Sequence, residues 1–443
     1  MTRTIKGSSL AVMAVFALSG CNLLDVDNPN SLTEESVQLP AAANGVANGA
    51  LRKVADAVSE VWQTTGVASD EFFWTGSRDG WNTLDQGHIN EPRNEFIDAV
   101  FPELGTAVWM GQYAVDVLNE HVATTPGGGF EGDLARAYLF NGIALMVAGE
   151  TQEDMTFSNK MEDGPPVGPE NMAGVLDNAI ANLNEAVSRL SGDAQRDARA
   201  VRARAIMSRA IWDEINPSAD GATGAMDFGA AVADAEAVLD DVGTADYRYE
   251  IGFSSSASSC SMCDWINNRG ENQVNDDLID LTTSGTGADG RMTEGDSVNV
   301  ILEDPVTGDP DATVKTFVDN FGTDQYGNLT MASARLMRLI LAESALAGAA
   351  TAEDFETHIN ALRALDGKDA FTSGGAVSDL DMLMHERRVN TLFMGLRLPD
   401  MYRWGVVDSR WQSTSTARTS PGHMMPIGIV EIRANCHLNG QGC

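Results

Sequence analysis

Basic residues are scarce in this chain of 443 residues. Lys and Arg together number 29 against 64 Asp and Glu, which gives a formal net charge of −35 at pH 7. A field of that sign repels the phosphates of nucleic acids and the headgroups of anionic lipids. The composition therefore argues against nucleic acid as a partner. The charge is explained by solubility alone and does not by itself indicate a cationic ligand.

Long apolar runs are also missing. The first apolar run, Leu10–Leu18, is much shorter than the roughly 20 residues that a membrane-spanning helix needs. No later segment is long and apolar enough to cross a bilayer. We therefore expect no transmembrane helix, although 43% hydrophobic residues are enough to build a sizeable core.

The familiar catalytic motifs are absent from the sequence. It contains no G-x-S-x-G, no H-E-x-x-H and no G-x-x-x-x-G-K-[ST]. The chain has 64 acidic residues, so two carboxylates at the separation found in glycosidases could occur by chance anywhere in the fold. Such a pair therefore does not distinguish an enzyme from a binding protein. We expect no enzymatic activity, no cofactor and no metal, because the six histidines are scattered without ligand spacing (His88, His121, His358, His385, His423, His437).

The N-terminus has the pattern of a secretory signal. Arg3 and Lys6 precede the apolar run Leu10–Leu18, and small residues follow it, which predicts a signal peptide over residues 1–20. The sequence Leu-Ser-Gly-Cys that ends at Cys21 resembles the bacterial lipobox. That resemblance implies cleavage before Cys21 and a lipid anchor, with palmitate among its chains, on the Cys21 thiol. The alternative is an ordinary signal peptide with a chance cysteine.

The other four cysteines fall in two close pairs. An exported protein lies in a compartment where disulfides persist, so we expect local bonds Cys260–Cys263 and Cys436–Cys443. A zinc site built from both pairs, with His437, is an alternative of poorer spacing. Redox catalysis by C-x-x-C is a third, although no βαβ pattern surrounds it.

Helical periodicity dominates the chain. Leu176, Ile180, Leu183 and Val187 recur at spacings of four and three residues, which places them on one helix face. An alanine-rich helix follows from about residue 194 to 215, and further helix pairs recur near the C-terminus. We therefore predict a mainly all-α fold, a tetratricopeptide-like array of helix pairs in one domain over 21–443. A region rich in Gly, Asp, Ser and Asn, about 254–330, is predicted to be a loop-rich insertion.

Three segments resemble SusD/RagB-like lipoproteins: the start after the lipobox (Leu24–Pro29), the alanine- and arginine-rich helix Ala198–Ile215, and above all HERRVNTLFMGLRLPDMYRWG at His385–Gly405. The last matches the family's E-R-x-x-E-x-x-x-E-G-x-R-x-x-D-x-x-R-W-G at eight positions, in order and at the right spacing, and departs from it at Asn390 and Met394. The matching residues are Glu386, Arg387, Gly395, Arg397, Asp400, Arg403, Trp404 and Gly405. Their charges suggest a partly buried ion-pair network, so we interpret this motif as structural and not as a catalytic cluster.

The resemblance implies a SusD-like fold with long irregular loops and a function in nutrient uptake. Such a protein is an outer-membrane lipoprotein facing the cell surface. It binds an oligosaccharide or peptide and delivers it to a partner, a SusC-like TonB-dependent transporter. The alternative is a lipid-anchored tetratricopeptide-type scaffold that binds only proteins.

Aromatic residues on irregular backbone indicate where a ligand could bind. The segment Asp70–Asn82 packs four aromatic residues among Gly, Asp and Asn, and Trp rings stack on the apolar faces of sugars while polar neighbours bind hydroxyls. Phe72, Phe73 and Trp74 could equally belong to the core, whereas Trp109, Tyr113 and Trp212 are assigned to the core from their helical spacing. The predicted ligand-binding residues are Trp81, Trp74, Asp70, Arg78, Asn82 and Trp265.

Overall fold

The computed structural model describes residues 34–159, 162–216, 223–280, 298–322 and 325–443. The predicted signal peptide and Cys21 lie outside the described residues. The helices, in chain order, are α1 (Glu34–Val37), α2 (Ala43–Ala68), α3 (Asp79–Asp85), α4 (Glu95–Thr124), α5 (Glu131–Thr151), α6 (Ala173–Arg189), α7 (Gly192–Ile215), α8 (Ala230–Val242), α9 (Ser261–Cys263), α10 (Ala312–Phe321), α11 (Ala334–Leu346), α12 (Phe355–Leu365), α13 (Asp379–Asn390), α14 (Arg397–Trp404), α15 (Thr416–Thr419) and α16 (Ile429–Ala434). In the described ranges, no helix combines the length and apolarity that crossing a bilayer requires.

Two small antiparallel sheets join distant parts of the chain. β1 (Phe72–Trp74) pairs with β3 (Asn272–Val274), and β2 (Arg248–Ile251) pairs with β4 (Leu329–Ser333). Each sheet has two strands, so neither provides a core layer of its own. Instead, the sheets fasten the loop-rich region to the helices.

The helices form the predicted array. α2 packs on α4, α4 on α5, α5 on α6, α6 on α7 and α7 on α8, after which α11 packs on α8 and α12 on α11. Each helix therefore contacts mainly its neighbours in the succession, as in tetratricopeptide-like repeats. The prediction of a mainly α-helical, tetratricopeptide-like fold is confirmed.

The sequence pattern explains the packing of α6 and α7. On α6, Leu176, Leu183 and Val187 are buried along the predicted face. On α7, Ala198 and Ala203 are among the alanines without exposed surface, and their small side chains allow neighbouring helices to approach closely.

The loop-rich region contains short elements and one disulfide. A π-helical turn, Asp264–Asn268, continues α9. Asp311 caps the N-terminus of α10, where its side chain accepts a hydrogen bond from the Thr313 amide. The structure pairs Cys260 with Cys263 here and Cys436 with Cys443 near the C-terminus, the two short-range bonds that the sequence predicts.

The residues of the C-terminal motif form a buried ion-pair ring between α11, α13 and α14. Arg387 donates two hydrogen bonds to Asp400, at 2.9 and 3.1 Å, and Arg403 donates to Asp400 at 2.8 Å. Arg403 also binds Glu343, and Arg387 lies 3.4 Å from the same carboxylate. All four side chains are almost completely buried, so each charge depends on the others for its stabilisation.

The remaining charged residues of the motif are paired in the same way. Glu386, which has no exposed surface, accepts hydrogen bonds from Arg363 at 2.9 Å and from Lys368 at 3.1 Å. Arg397 binds Asp70 through two parallel hydrogen bonds of 2.5 and 2.7 Å. These pairs join α14 to the segment before β1 and α13 to α12.

The two glycines and the tryptophan of the motif serve packing. Gly395 has φ +69°, and a Cβ there would lie 2.4 Å from the Trp62 ring, so only glycine fits. Gly405 ends α14 in the left-handed conformation. Trp404 lies under the Arg403 guanidinium, whose carbon is 3.8 Å from the ring centroid. The motif is therefore part of the core of the fold.

Candidate functional site

The structure places Trp81 in the core and not on a ligand-binding surface. Its side chain has no exposed area. One ring face stacks on Phe96, with centroids 3.6 Å apart, and the edge of Trp265 approaches at 5.4 Å. Stacking on a sugar needs an accessible ring face, so the prediction of Trp81 as a ligand-binding residue is wrong. The sequence neighbours Gly80 and Asn82 suggested a loop, but Trp81 lies on α3.

Asp70 is also part of the buried structure, where it forms an ion pair. It is 7% exposed, and its carboxylate is bound by Arg397 and lies 3.3 Å from Arg388. Burial acts to raise the pKa of Asp70, but the charge and hydrogen bonds of Arg397 outweigh it and hold the pKa below its usual range. The carboxylate balances buried guanidinium charge, so it does not face a ligand.

The other predicted residues lie around the same aromatic cluster. Trp265 is 8% exposed and lies beneath two guanidinium groups, those of Arg269 at 4.3 Å and Arg78 at 5.5 Å from its ring centroid. Asn82 accepts a hydrogen bond from Gln86, and Trp74 is half-buried on β1. The structure thus brings Arg78 and Trp265 together.

Among the residues that the structure describes, two groups of side chains have the donor types of a metal site. The first contains Cys436, His437 and Cys443, but the two cysteines form a disulfide and offer no thiolate, which removes the zinc alternative. The second contains Asp304, Asp311 and His385.

Lys368 places a positive charge beside both carboxylates of the second group. Its ammonium lies 3.1 Å from Asp311 and 3.8 Å from Asp304. Burial acts to raise the pKa of Asp311, but the hydrogen bond with His385 and the charge of Lys368 hold it well below its usual range. We interpret this group as an ion-pair cluster.

A cleft of about 780 Å³ lies along one face of α4. That volume is within the range of small-molecule binding sites. α5, α6, the loop 156–159 and α16 contribute the rest of its lining. The lining residues are Phe101, Pro102, Gly105, Thr106, Val108, Trp109, Gln112, Tyr113, Asp116, Asn141, Leu145, Thr156, Phe157, Ser158, Asn159, Asn178, Asn182 and Glu431.

Trp109 and Tyr113 form an aromatic platform in the cleft. They are one helical turn apart on α4, so their side chains are neighbours. Their rings stack with centroids 5.2 Å apart and an interplanar angle of 16°, and both side chains are half-buried. Phe157, which is 41% exposed, adds a third aromatic ring to the lining. Such flat apolar surfaces bind ligands that have apolar faces of their own.

A chain of amide side chains lies beside this platform. Asn141 on α5 donates one hydrogen bond to Gln112 at 3.3 Å and another to Asn182 on α6 at 3.0 Å. Gln112 in turn donates to Asp116 at 2.8 Å. Glycine at position 111 leaves room for Asn141. A Cβ there would lie 2.8 Å from the Asn141 side chain and clash with it. The amides are fixed by one another and offer both donors and acceptors, as a polyhydroxylated ligand requires.

The loop 156–159 is anchored by the C-terminal part of the chain. Thr156 donates a hydrogen bond of 2.8 Å to Glu431 on α16, and Asn435 donates another of 2.8 Å to the same carboxylate oxygen. Thr156 and Glu431 are 275 residues apart in sequence. The cleft is therefore complete only after the C-terminal segment has packed.

Sequence reasoning missed this site because it assigned Trp109 and Tyr113 to the core from their helical spacing. The core stripe of α4 runs through residues such as Leu104, Val108 and Leu118. Trp109 and Tyr113 lie beside that stripe, on a face shared with Gly105, Thr106, Gln112 and Asp116. Two aromatic residues among exposed polar ones on the second face of a long helix are the signal that could have found the site.

Comparisons with known proteins bear on the fold. No protein-family model matches the sequence, and no curated protein matches it. A SusD superfamily protein from Parabacteroides distasonis shares the fold with a TM-score of 0.61 at 12% identity, over 91% of this chain and 98% of its own. Another from Bacteroides vulgatus has a TM-score of 0.59 at 14% identity, over 90% of this chain and 97% of its own. A structure solved with xylogluco-oligosaccharide has a TM-score of 0.56 at 15% identity, over 82% of this chain and 83% of its own.

These likenesses cover 82–91% of this chain. At such low identity they bear on the fold and on nothing finer. The fold implied by the motif at His385–Gly405 is thereby confirmed. The protein has the fold of the SusD superfamily.

Proposed function

We propose that the protein is a nutrient-binding lipoprotein of SusD type, which holds an oligosaccharide in the cleft between α4, α5 and α6. The observation that carries this proposal is the aromatic platform of Trp109 and Tyr113 beside a chain of ordered amides. Sugar rings combine apolar faces with a rim of hydroxyls, so platform and amides match the two parts of the ligand. The similar structure solved with xylogluco-oligosaccharide supports a saccharide in preference to a peptide.

Replacing Trp109 by alanine is expected to weaken saccharide binding by at least about tenfold, equivalent to roughly 1.4 kcal/mol. The substitution removes the larger ring of the platform and leaves the amides in place. Binding of purified protein lacking residues 1–21 to a panel of oligosaccharides and peptides identifies the ligand. Isothermal titration calorimetry of the wild type and the Trp109→Ala variant then measures the change.

Trp74→Ala is the matched control, because Trp74 is half-buried like Trp109 but lies on β1, outside the cleft. It is expected to bind with the affinity of the wild type. If Trp74→Ala loses binding and Trp109→Ala retains it, the ligand binds in the loop region after α2 and not in the cleft. Binding of peptides alone, with no saccharide, would favour a protein-binding scaffold.

Lipid anchoring at Cys21 belongs to the same proposal. The lipobox resemblance supports it, and several acyl chains on one cysteine bind a membrane more durably than a single chain does. Cells that express the full chain are expected to incorporate labelled palmitate into the protein, and Cys21→Ala is expected to abolish the label and to release the protein from the membrane fraction. Wild-type protein without label would contradict the anchor.

We further propose that the anchored protein lies at the outer surface of the outer membrane and transfers its ligand to a SusC-like TonB-dependent transporter. In this role it binds and delivers the nutrient without catalysis. The experiment is isolation of the wild-type protein in mild detergent after crosslinking in cells. An outer-membrane transporter among the crosslinked partners is expected, and an assembly factor in its place would support the scaffold alternative.

A further inference from the structure

The charged groups that line the cleft all carry the same sign. Within the described ranges the lining contains the carboxylates of Asp116 and Glu431 and no Lys, Arg or His. Its other polar side chains are uncharged (Thr106, Gln112, Tyr113, Asn141, Thr156, Ser158, Asn159, Asn178, Asn182, with the indole of Trp109).

Hydrogen bonds hold both carboxylates in place. Asp116 accepts from Gln112 at 2.8 Å, which joins it to the amide chain. Glu431 accepts from Thr156 and from Asn435, each at 2.8 Å. A ligand in the cleft therefore meets negative charge from α4 and from α16.

Arg209, which reaches α6 beside the cleft residue Asn178, is paired with carboxylates outside the lining. It binds Asp177 at 2.9 Å and also pairs with Asp213. Proteins bind carboxylate-bearing ligands mainly through Arg and Lys, which supply charge and parallel donors. The described cleft offers neither, and the net charge of −35 adds a repulsive field around it.

We infer that the cleft selects uncharged saccharides and discriminates against acidic ones, such as uronic-acid oligomers. This inference rests on the proposed function of the cleft and adds a substrate class to it. The amides and aromatic rings bind the hydroxyls and ring faces that neutral and acidic sugars share, while Asp116 and Glu431 repel a carboxylate on the ligand.

The experiment compares neutral saccharides with acidic partners that have the same backbone. Mannohexaose, cellohexaose and a xyloglucan heptasaccharide are each titrated against their own product of oxidising the primary hydroxyls to carboxylates. For whichever saccharide binds, the neutral form is expected in low salt to bind at least about fivefold more tightly than its oxidised form. This is the effect of two like charges a few ångströms apart in water. Raising the ionic strength is expected to narrow that ratio, because salt screens the repulsion.

The double variant Asp116→Asn, Glu431→Gln keeps the shapes of both side chains and removes both charges. It is expected to bring the affinity ratio of the neutral and acidic ligands clearly closer to one than in the wild type. Asp240→Asn, on α8 outside the cleft, is the control and is expected to keep the wild-type ratio. Equal or tighter binding of the acidic member by the wild type would overturn the inference and leave the proposed function intact. If neither class binds, both are overturned.

Discussion

Replacing Glu343 by glutamine is expected to lower the free energy of unfolding by about 3–5 kcal/mol, because it leaves two buried guanidinium groups with a single carboxylate. Glu343 has no exposed surface and binds Arg403, and Arg387 lies 3.4 Å away. Glutamine has nearly the same volume as glutamate. The decrease in the free energy of unfolding is therefore caused by the missing charge and not by a cavity. Urea denaturation of the protein lacking residues 1–21 measures the difference.

Asp177→Asn is the matched control for this substitution. Asp177 also pairs with an arginine, Arg209 at 2.9 Å, but its side chain is 61% exposed. Exposed pairs contribute about 0–1 kcal/mol, since water screens both charges. A loss for Glu343→Gln no larger than that for Asp177→Asn would show that the ring of Arg387, Asp400, Arg403 and Glu343 does not determine stability.

Replacing Glu71 by glutamine is expected to have the opposite effect, stabilising the protein at pH 8 by up to about 5 kcal/mol. Glu71 is 2% exposed, and burial raises its pKa from the ordinary 4.5 to about 8, although the Phe393 amide donates a hydrogen bond to it. Between these two pH values the unfolded chain loses the Glu71 proton while the folded protein keeps it. The stability of the wild type therefore falls as pH rises from 4.5 towards 8.

The pH dependence distinguishes this cause from a general gain in packing. Glutamine cannot titrate, and its Oε1 can still accept the hydrogen bond from Phe393. The unfolding free energies of wild type and Glu71→Gln are therefore expected to coincide below pH 4.5 and to diverge steadily above it. Two curves that stay parallel from pH 4 to pH 8.5 would contradict the raised pKa of Glu71. Glu103→Gln, at a more exposed position, is expected to show no such divergence.

Sequence reasoning was most successful where the information is local. The spacing of Leu176, Leu183 and Val187 follows the helical repeat, so it predicted both the helix and its buried face. Cys260 and Cys263 are separated by two residues, so their pairing needed no knowledge of the rest of the fold.

The candidate site could not be predicted in the same way. Trp81 looked accessible between Gly80 and Asn82, but Phe96 and Trp265 cover it, and Trp265 lies far along the chain. Trp109 looked like a core residue, yet it lies at the edge of a cleft. For Trp81, a partner distant in sequence buries the ring.

The sequence by itself determined the helical array, the buried charges of the C-terminal motif and the local disulfides, because the repeat of a helix and the need to pair a buried charge are properties of short segments and residue types. Only the tertiary structure decided where a ligand can bind. The cleft combines α4, α5 and α6 with the loop 156–159 and Glu431. Its shape depends on which surfaces of these distant segments remain uncovered once the core has packed, and no short stretch of sequence contains that information.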